Sequence, residues 1–287
     1  MELRWGERTW VMGIINLTPD SFSGDGLAPP GRSVDEVVEA ALRQGRAFVD
    51  AGAQILDVGA ESSRPAQFYG DHPPLSAEDE AALAVPVVAA LVAELGGRTL
   101  VSIDTTKGPV ARQAVAAGAA IINDVWAGRH DPDTVRAAAE TGVHLVLMHN
   151  RTVADYAGEV TGEVTTWLRA AVDDALAAGV RRERILVDPG IGFGKTPEHS
   201  LAVLRGLARL KADLGGLPLL VGTSRKRFIG ALLDGAGPDE RLEGTIATVV
   251  LAIAQGADVV RVHDVGPVAR AVRVTDAIVR GGAEVTA

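Results

Sequence analysis

Seven times along this chain a glycine closes a helix-like pattern and is followed within about two residues by a short apolar run rich in β-branched side chains. Gly52 precedes Ile55-Leu56-Asp57-Val58, Gly97 precedes Leu100-Val101-Ser102-Ile103-Asp104, and Gly118 precedes Ile121-Ile122-Asn123. Gly142 stands before Val143 to Met148, Gly179 before Ile185-Leu186-Val187-Asp188, Gly216 before Leu219-Leu220-Val221, and Gly256 before Val259-Val260-Arg261-Val262. The stretches between them carry apolar residues at helical spacing, as in Val34, Val37, Val38, Ala41, Leu42, Gly45 and Val49. Apolar strands without alternation are buried on both faces, so this pattern demands a parallel sheet covered by amphipathic helices. Residues 10–15 add a first strand with no helix before it, which makes eight. Eight such units predict a closed (β/α)8 TIM barrel, with an open doubly wound sheet as the alternative.

The 287 residues, 47% of them hydrophobic, match the size of one such barrel, so the expectation is one domain over 1–287. Two connections are far longer than the roughly 2–6 residues usual for a βα loop. They cover residues 16–33 after strand one and 59–76 after strand two, and loops of that length tend to be lids or binding loops. With 28 basic against 37 acidic side chains the net charge is −9, which argues against a general nucleic-acid or anionic-membrane surface. There is no cysteine, so disulfides, thiolate metal sites and thiol nucleophiles are excluded. The first residues lack an apolar leader core and no run approaches the roughly 18 apolar residues of a membrane span, so a cytoplasmic location is expected.

At the C-terminal ends of barrel strands, side chains point into the mouth where chemistry occurs. Nearly every expected tip here is polar: Asn16, Asp57, Asp104, Asn123 with Asp124, His149, Asp188, the run Ser224-Arg225-Lys226-Arg227, and Arg261 with His263. Any one of them alone would pass as a turn or cap residue. As a ring they point to a site. Asp104, Asn123 and Asp188 suit a neutral heterocycle with adjacent N–H donors, and they suit a divalent metal equally well. Lys226, Arg261 and His263 supply the positive charge that a phosphate or diphosphate requires.

Some motifs are discounted. Residues 189–196 look like a P-loop, but proline stands at 189 where glycine is required, and the dinucleotide fingerprint is missed by one residue. Their glycines better serve a close backbone approach to a flat ligand. His144 and His149 are five apart on one strand and so face opposite sides, which rules out a shared metal. His72, His130 and His199 are expected in solvent.

Taken together, MGIINLTPDSFS (12–23), GAESSRP (59–65), SIDT (102–105), IIND (121–124), LMH (147–149), DPGIGFGK (188–195), GTSRK (222–226) and RVHDV (261–265) resemble the dihydropteroate synthase family. The resemblance runs from strand one to strand eight. It implies a Mg²⁺-dependent transferase of folate biosynthesis that joins 6-hydroxymethyl-7,8-dihydropterin diphosphate to 4-aminobenzoate and releases diphosphate. By that resemblance Asp104, Asn123 and Asp188 bind the amino-pyrimidine edge of the pterin and Lys226 its carbonyl side. Phe193, Met148 and Arg261 bracket the ring. Asn16 ligates the Mg²⁺, and Arg64, Arg261 and His263 hold the diphosphate. The catalytic set so implied is Asp104, Lys226, Arg261 and His263. Thr18, Pro19, Asp20, Phe22, Ser63, Arg64, Pro65, Ser224 and Arg227 would form the aminobenzoate pocket and lid, with a helix starting near Ser224 offering N–H groups to the carboxylate.

The resemblance also implies a homodimer and a sulfonamide target, while the role of Lys195 stays open. Apolar Ile246, Val249, Val250, Ile253, Val268, Val272 and Ile278 on the last two helices could be core or partly a dimer surface. Three positions depart from the family pattern: Arg227 for a usual serine, Ser63 for threonine, and Asn150 for methionine. Two rivals share the barrel: a pterin-dependent methyltransferase, which has no use for a diphosphate site, and a non-catalytic pterin-binding barrel, for which loss of the metal, diphosphate or lid residues would be the signature.

Overall fold

The computed structural model describes residues 2–18, 26–29, 31–61 and 75–281. Eight parallel strands, β1 (Trp10–Asn16), β2 (Ile55–Gly59), β3 (Leu100–Asp104), β4 (Ile121–Asp124), β5 (His144–Met148), β6 (Ile185–Asp188), β7 (Leu220–Val221) and β8 (Val259–Val262), lie in the order β6-β5-β4-β3-β2-β1-β8-β7. The two ends of that order meet: Val187 bridges Leu219, and its N–H donates to the Pro218 carbonyl at 2.9 Å. The sheet is therefore the expected barrel and not the open alternative. Around it run α1 (Val34–Ala51), α2 (Ala77–Leu95), α3 (Gly108–Ala116), α4 (Asp133–Thr141), α5 (Val160–Ala177), α6 (Pro197–Arg205), α7 (Leu207–Asp213), α8 (Arg227–Leu232), α9 (Leu242–Ala254) and α10 (Val265–Val279).

The helix stops work as the sequence suggests. Gly52 ends α1 in the left-handed region at φ 109°, where its N–H reaches back to the carbonyls of Phe48 and Val49. Six of the seven signal glycines have positive φ, and Gly97 is the exception, since α2 ends one residue earlier on Gly96 in a right-handed turn. At the other end of α1, Ser33 and Glu36 form a reciprocal capping box.

Alternation along each strand divides the core in two. Outward residues such as Val11, Leu56, Val58, Ile103, Ile122, Leu145, Leu147, Val187 and Val260 pack with the helices. Inward residues Trp10, Met12, Ile55, Ile121, Val146, Leu186, Leu220 and Val259 fill the lower barrel, with Leu3 and Trp5 of the N-terminal segment against them. The floor is thus apolar and closed. One inward step further up each strand stand Ile14, Asp57, Ser102, Asn123, Met148, Asp188, Gly222 and Arg261, so the polar layer begins where the strands approach their C-terminal ends.

Candidate active site

A cavity of about 470 Å³ opens above that floor, lined by Asn123, Met148, Asp188, Phe193, Lys195, Ser224, Lys226, Arg227, Arg261 and His263 among others. That volume suits a small bicyclic ligand. The strands position these groups by register: Asp104 is opposite Asn123 across β3 and β4, and Met148 is opposite Asp188 across β5 and β6.

Asp57, Asp104 and Arg261 form a buried charge cluster. Arg261 donates from Nε to Asp57 at 2.6 Å and from Nη2 to Asp104 at 2.7 Å. Asp57 is fully buried, and the same oxygen accepts Nδ2 of Asn123 at 3.0 Å. Arg261 lines the cavity, whereas Asp57 and Asp104 do not. Burial drives the Asp104 carboxyl above its usual range; Arg261 pulls it back, and Asp57 and Glu80 push it up further. Burial likewise raises Asp188 to about 6, against the downward pull of the Gly190 N–H, which donates to Oδ1 at 2.7 Å, and of Lys226.

The glycine turn after β6 carries the opposite wall. Gly190 has φ 64°, and a Cβ there would lie 1.9 Å from the backbone oxygen of His149, so no other residue fits without moving the backbone. Phe193 leaves this turn with its ring 3.8 Å below the Lys226 ammonium. Beneath it the Lys195 ammonium donates to the carbonyls of Gly190 at 3.0 Å and Phe193 at 3.1 Å and lies 2.9 Å from Nδ1 of His149. Burial brings Lys195 down to about 7 while Asp188 opposes it, and burial with the Lys195 charge takes His149 to about 2, so the imidazole stays neutral.

Beyond β7, Ser224 does not cap a helix. The helix begins at Arg227, with Lys226 as its N-cap and no side-chain capping bond, because the Ser224 hydroxyl pairs with Nδ1 of His263 at 2.9 Å and accepts its backbone N–H at 3.2 Å. The helix N-terminus expected near Ser224 is displaced accordingly. Arg225, which also lines the cavity, makes a two-pronged pair with Asp264 at 2.8 and 3.0 Å.

At the mouth, Asn16 Oδ1 accepts the Thr18 hydroxyl at 3.0 Å and its N–H at 3.3 Å. Glu61 gathers the base of the second loop: it accepts the Leu75 N–H at 3.1 Å and pairs with Lys107, which also pairs with buried Glu80. Nothing in the local sequence announces the Lys107 clamp. Pro19, Asp20, Phe22, Ser63, Arg64, Pro65 and His72 lie outside the described residues.

Other positions resolve into supporting roles. Asp124 faces outward, accepting the N–H groups of Trp126 and Gly128 at 2.8 Å and the Thr134 hydroxyl at 2.6 Å, so it anchors a loop. Asn150 donates to the Val125 carbonyl at 3.1 Å. His144 sits at the barrel floor against Trp5 while His149 is at the mouth, so the two are separated as expected. His130 is exposed, but His199 is not simply solvated, since it completes a capping box with Thr196 and packs edge-on against Tyr156. Of the apolar positions on α9 and α10, Val249, Ile253, Val268 and Val272 are core, whereas Ile278 is exposed.

The chain matches the family described as pterin binding enzyme over residues 12–263. It is 43% identical over 280 residues to the dihydropteroate synthase of Bacillus subtilis, an alignment that covers 98% of this chain and 92% of that protein. Among solved structures it superposes with a TM-score of 0.88 and 39% identity on the Clostridium difficile dihydropteroate synthase determined in the presence of pteroic acid, covering 97% of this chain and all of the other. The Yersinia pestis enzyme, solved as a sulfonamide drug complex, gives 0.83 at 35% identity with 95% of each chain covered. A barrel cavity lined by Asn123 and Asp188 together with Lys226, Arg261 and His263, and likeness over nearly the whole length, place this chain in the pterin binding enzyme family, among the dihydropteroate synthases.

Proposed function

We infer that this chain joins 6-hydroxymethyl-7,8-dihydropterin diphosphate to 4-aminobenzoate, giving 7,8-dihydropteroate and diphosphate. The observation that carries the reading is a single cavity lined both by the acceptors Asn123 and Asp188 and by the cations Lys226, Arg227 and Arg261 with His263. A heterocycle with N–H donors needs the first and a departing diphosphate needs the second.

The chemistry follows from where charge develops. Heterolysis of the C–O bond sends its electron pair to diphosphate and leaves positive charge spread over the dihydropterin. Asp188, with Asp104 behind Arg261, stabilises the ring side, while Arg261 and His263, joined by Arg64, hold the leaving group. Lys226 meets the carbonyl side of the ring, and Phe193, Met148 and Arg261 bracket its faces. The arylamine nitrogen then closes the new C–N bond and gives up its proton, so orientation suffices and no protein nucleophile is required. Thr18, Ser224 and Arg227, with the loop residues named above, shape the aminobenzoate side.

For Mg²⁺ the donor set is suggestive. No group of three or more His, Cys, Asp or Glu side chains converges among the described residues, so the ion has no all-protein cage there. Asn16 offers a hard amide oxygen, which suits a Mg²⁺ ion that keeps most of its ligands from phosphate and water. When bound, the ion neutralises charge on the leaving diphosphate. Since Thr18 uses the same oxygen, ligation at Asn16 is tied to the start of the first loop.

Three further readings accompany the function. A homodimer is supported by α9, apolar nearly all round, and by Leu251, Val274 and Ile278, exposed at 62, 62 and 78% on the last two helices. A sulfonamide-sensitive aminobenzoate pocket is supported by the Yersinia pestis complex. No helix among the described residues is long and apolar enough to cross a membrane, and we take the cytoplasm as the location. The test of the function is diphosphate release by the purified chain: it should require both organic substrates and Mg²⁺. Release without 4-aminobenzoate at the same rate, or none with everything present, ends the reading.

A further inference from the structure

Asp57 is fully buried on β2, does not line the cavity, and has no part in the chemistry above. Its Oδ2 nevertheless gathers two groups that do line it: Nε of Arg261 at 2.6 Å and Nδ2 of Asn123 at 3.0 Å. Asn123 is on β4, so this contact spans β3. It does so over Ser102, which is in register with Asp57 and whose small side chain leaves the path open.

The contact has a directional consequence. A side-chain amide has one end that donates and one that accepts, and a carboxylate holding a guanidinium can only accept. With Nδ2 committed to Asp57, Oδ1 is the end of Asn123 that remains for the cavity. On β6, Asp188 has one oxygen on the Gly190 N–H and is a second acceptor on the same cavity. Were the amide of Asn123 turned over, a donor would replace one of the two acceptors.

We propose that Asp57 is a positioning residue that sets ligand specificity: by fixing the amide of Asn123 it makes this side of the cavity select a heterocycle edge bearing an exocyclic amino group over the same edge bearing an oxo group. The proposal rests on the pterin reading. It differs from a mere counter-charge for Arg261, because charge alone does not distinguish the two ends of an amide.

The experiment measures, with the full purified chain, dissociation constants for pterin (2-amino-4-oxo) and lumazine (2,4-dioxo), and takes their ratio. Wild type prefers pterin. Asp57→Ala lowers that preference about tenfold, the scale of one reversed hydrogen bond, because Asn123 can now donate to the oxo group. Released Arg261 affects both probes alike and cancels in the ratio. Asp57→Asn, which keeps an oxygen for Arg261 and Asn123 but not the charge, stays within about threefold of wild type. In an Asn123→Ala background the Asp57→Ala effect on the ratio disappears. If Asp57→Ala does not fold, Asp57→Ser, whose hydroxyl is too short to reach Asn123, carries the same expectation. An unchanged ratio in the Ala or Ser variant, an equal loss in Asp57→Asn, or an equal loss without Asn123 overturns the proposal alone. Wild type that binds neither probe, or does not prefer pterin, overturns the pterin reading and the proposal with it.

Discussion

The Lys195 ammonium stands 2.9 Å from Nδ1 of His149, a neutral imidazole, with the carbonyls of Gly190 and Phe193 as its other two acceptors. Three acceptors match the three protons of an ammonium. The arrangement pins both ends of a turn that has little side-chain bulk to anchor it, and the turn carries Phe193 under Lys226. Hydrogen bonds to a charged group contribute about 1.5–3 kcal/mol each, so Lys195→Met should raise the KM for the pterin diphosphate about tenfold or more. The KM for 4-aminobenzoate should rise by a smaller factor, since Thr18, Ser224 and Arg227 follow β1 and β7 and are not carried by the turn after β6. Equal rises in both constants would show a general loss of structure instead of a displaced ring wall.

Asp188 gives a pH signature. Its folded pKa of about 6 is above the ordinary aspartate value because burial opposes ionisation. As a carboxylate it accepts N–H groups from a pterin edge; protonated, it offers a donor in place of an acceptor. Affinity for pterin should therefore decline as pH falls through 6, by up to tenfold per unit below it. Asp188→Asn should bind more weakly at pH 8 and lose this limb. A variant that retains the same acid-side decline assigns it to another group.

The backbone of the turn makes a stability prediction. At Gly190 a β-carbon would meet the backbone oxygen of His149, and φ is 64°; at Gly216, φ is 73° but nothing lies within 4 Å of the same atom. Gly216→Ala therefore bears left-handed strain alone, about 1 kcal/mol, while Gly190→Ala adds a backbone clash and should cost about 3 kcal/mol or more. In thermal unfolding the second variant should melt on the order of 6–12 °C below wild type, and the first only a few degrees. Matching melting points for the two variants contradict the steric account.

These residues also mark how far sequence reasoning reaches. The strands were legible because β-branched runs follow helix-ending glycines, and the ring of polar tips follows from that count. Alternation also separates Asn123 from Asp124: counting from inward Ile121 puts Asn123 in the barrel and Asp124 outside it, although both read as tips. Asp57 was visible as a polar residue in an apolar strand, but its partners lie 66 and 204 residues away, and no local period encodes such a pairing. Lys195 was obscured for the same reason, with His149 46 residues distant. Ser224 misled because a serine beside an expected helix start reads as a cap, while its hydroxyl is committed to His263 on the neighbouring strand end.

Arg227 is the position, among the three that depart from the pattern the resemblance implies, that lines the cavity. It is exposed, it lines the cavity, and it opens α8, so its guanidinium can approach a carboxylate held there. In the proposed reaction that carboxylate belongs to 4-aminobenzoate. An exposed charge contact of this kind contributes about 0.2–1 kcal/mol, and it is screened by salt. A sulfonamide presents a weaker, more diffuse anionic group at the same place, so the extra cation favours substrate over drug. Arg227→Ser should therefore raise the KM for 4-aminobenzoate about two- to fivefold and change the inhibition constant of a sulfonamide less, with the difference shrinking in 0.5 M salt. Matched constants for wild type and Arg227→Ser at two salt concentrations decide it: if both ligands move by the same factor, or neither moves, Arg227 does not distinguish the substrate from the drug.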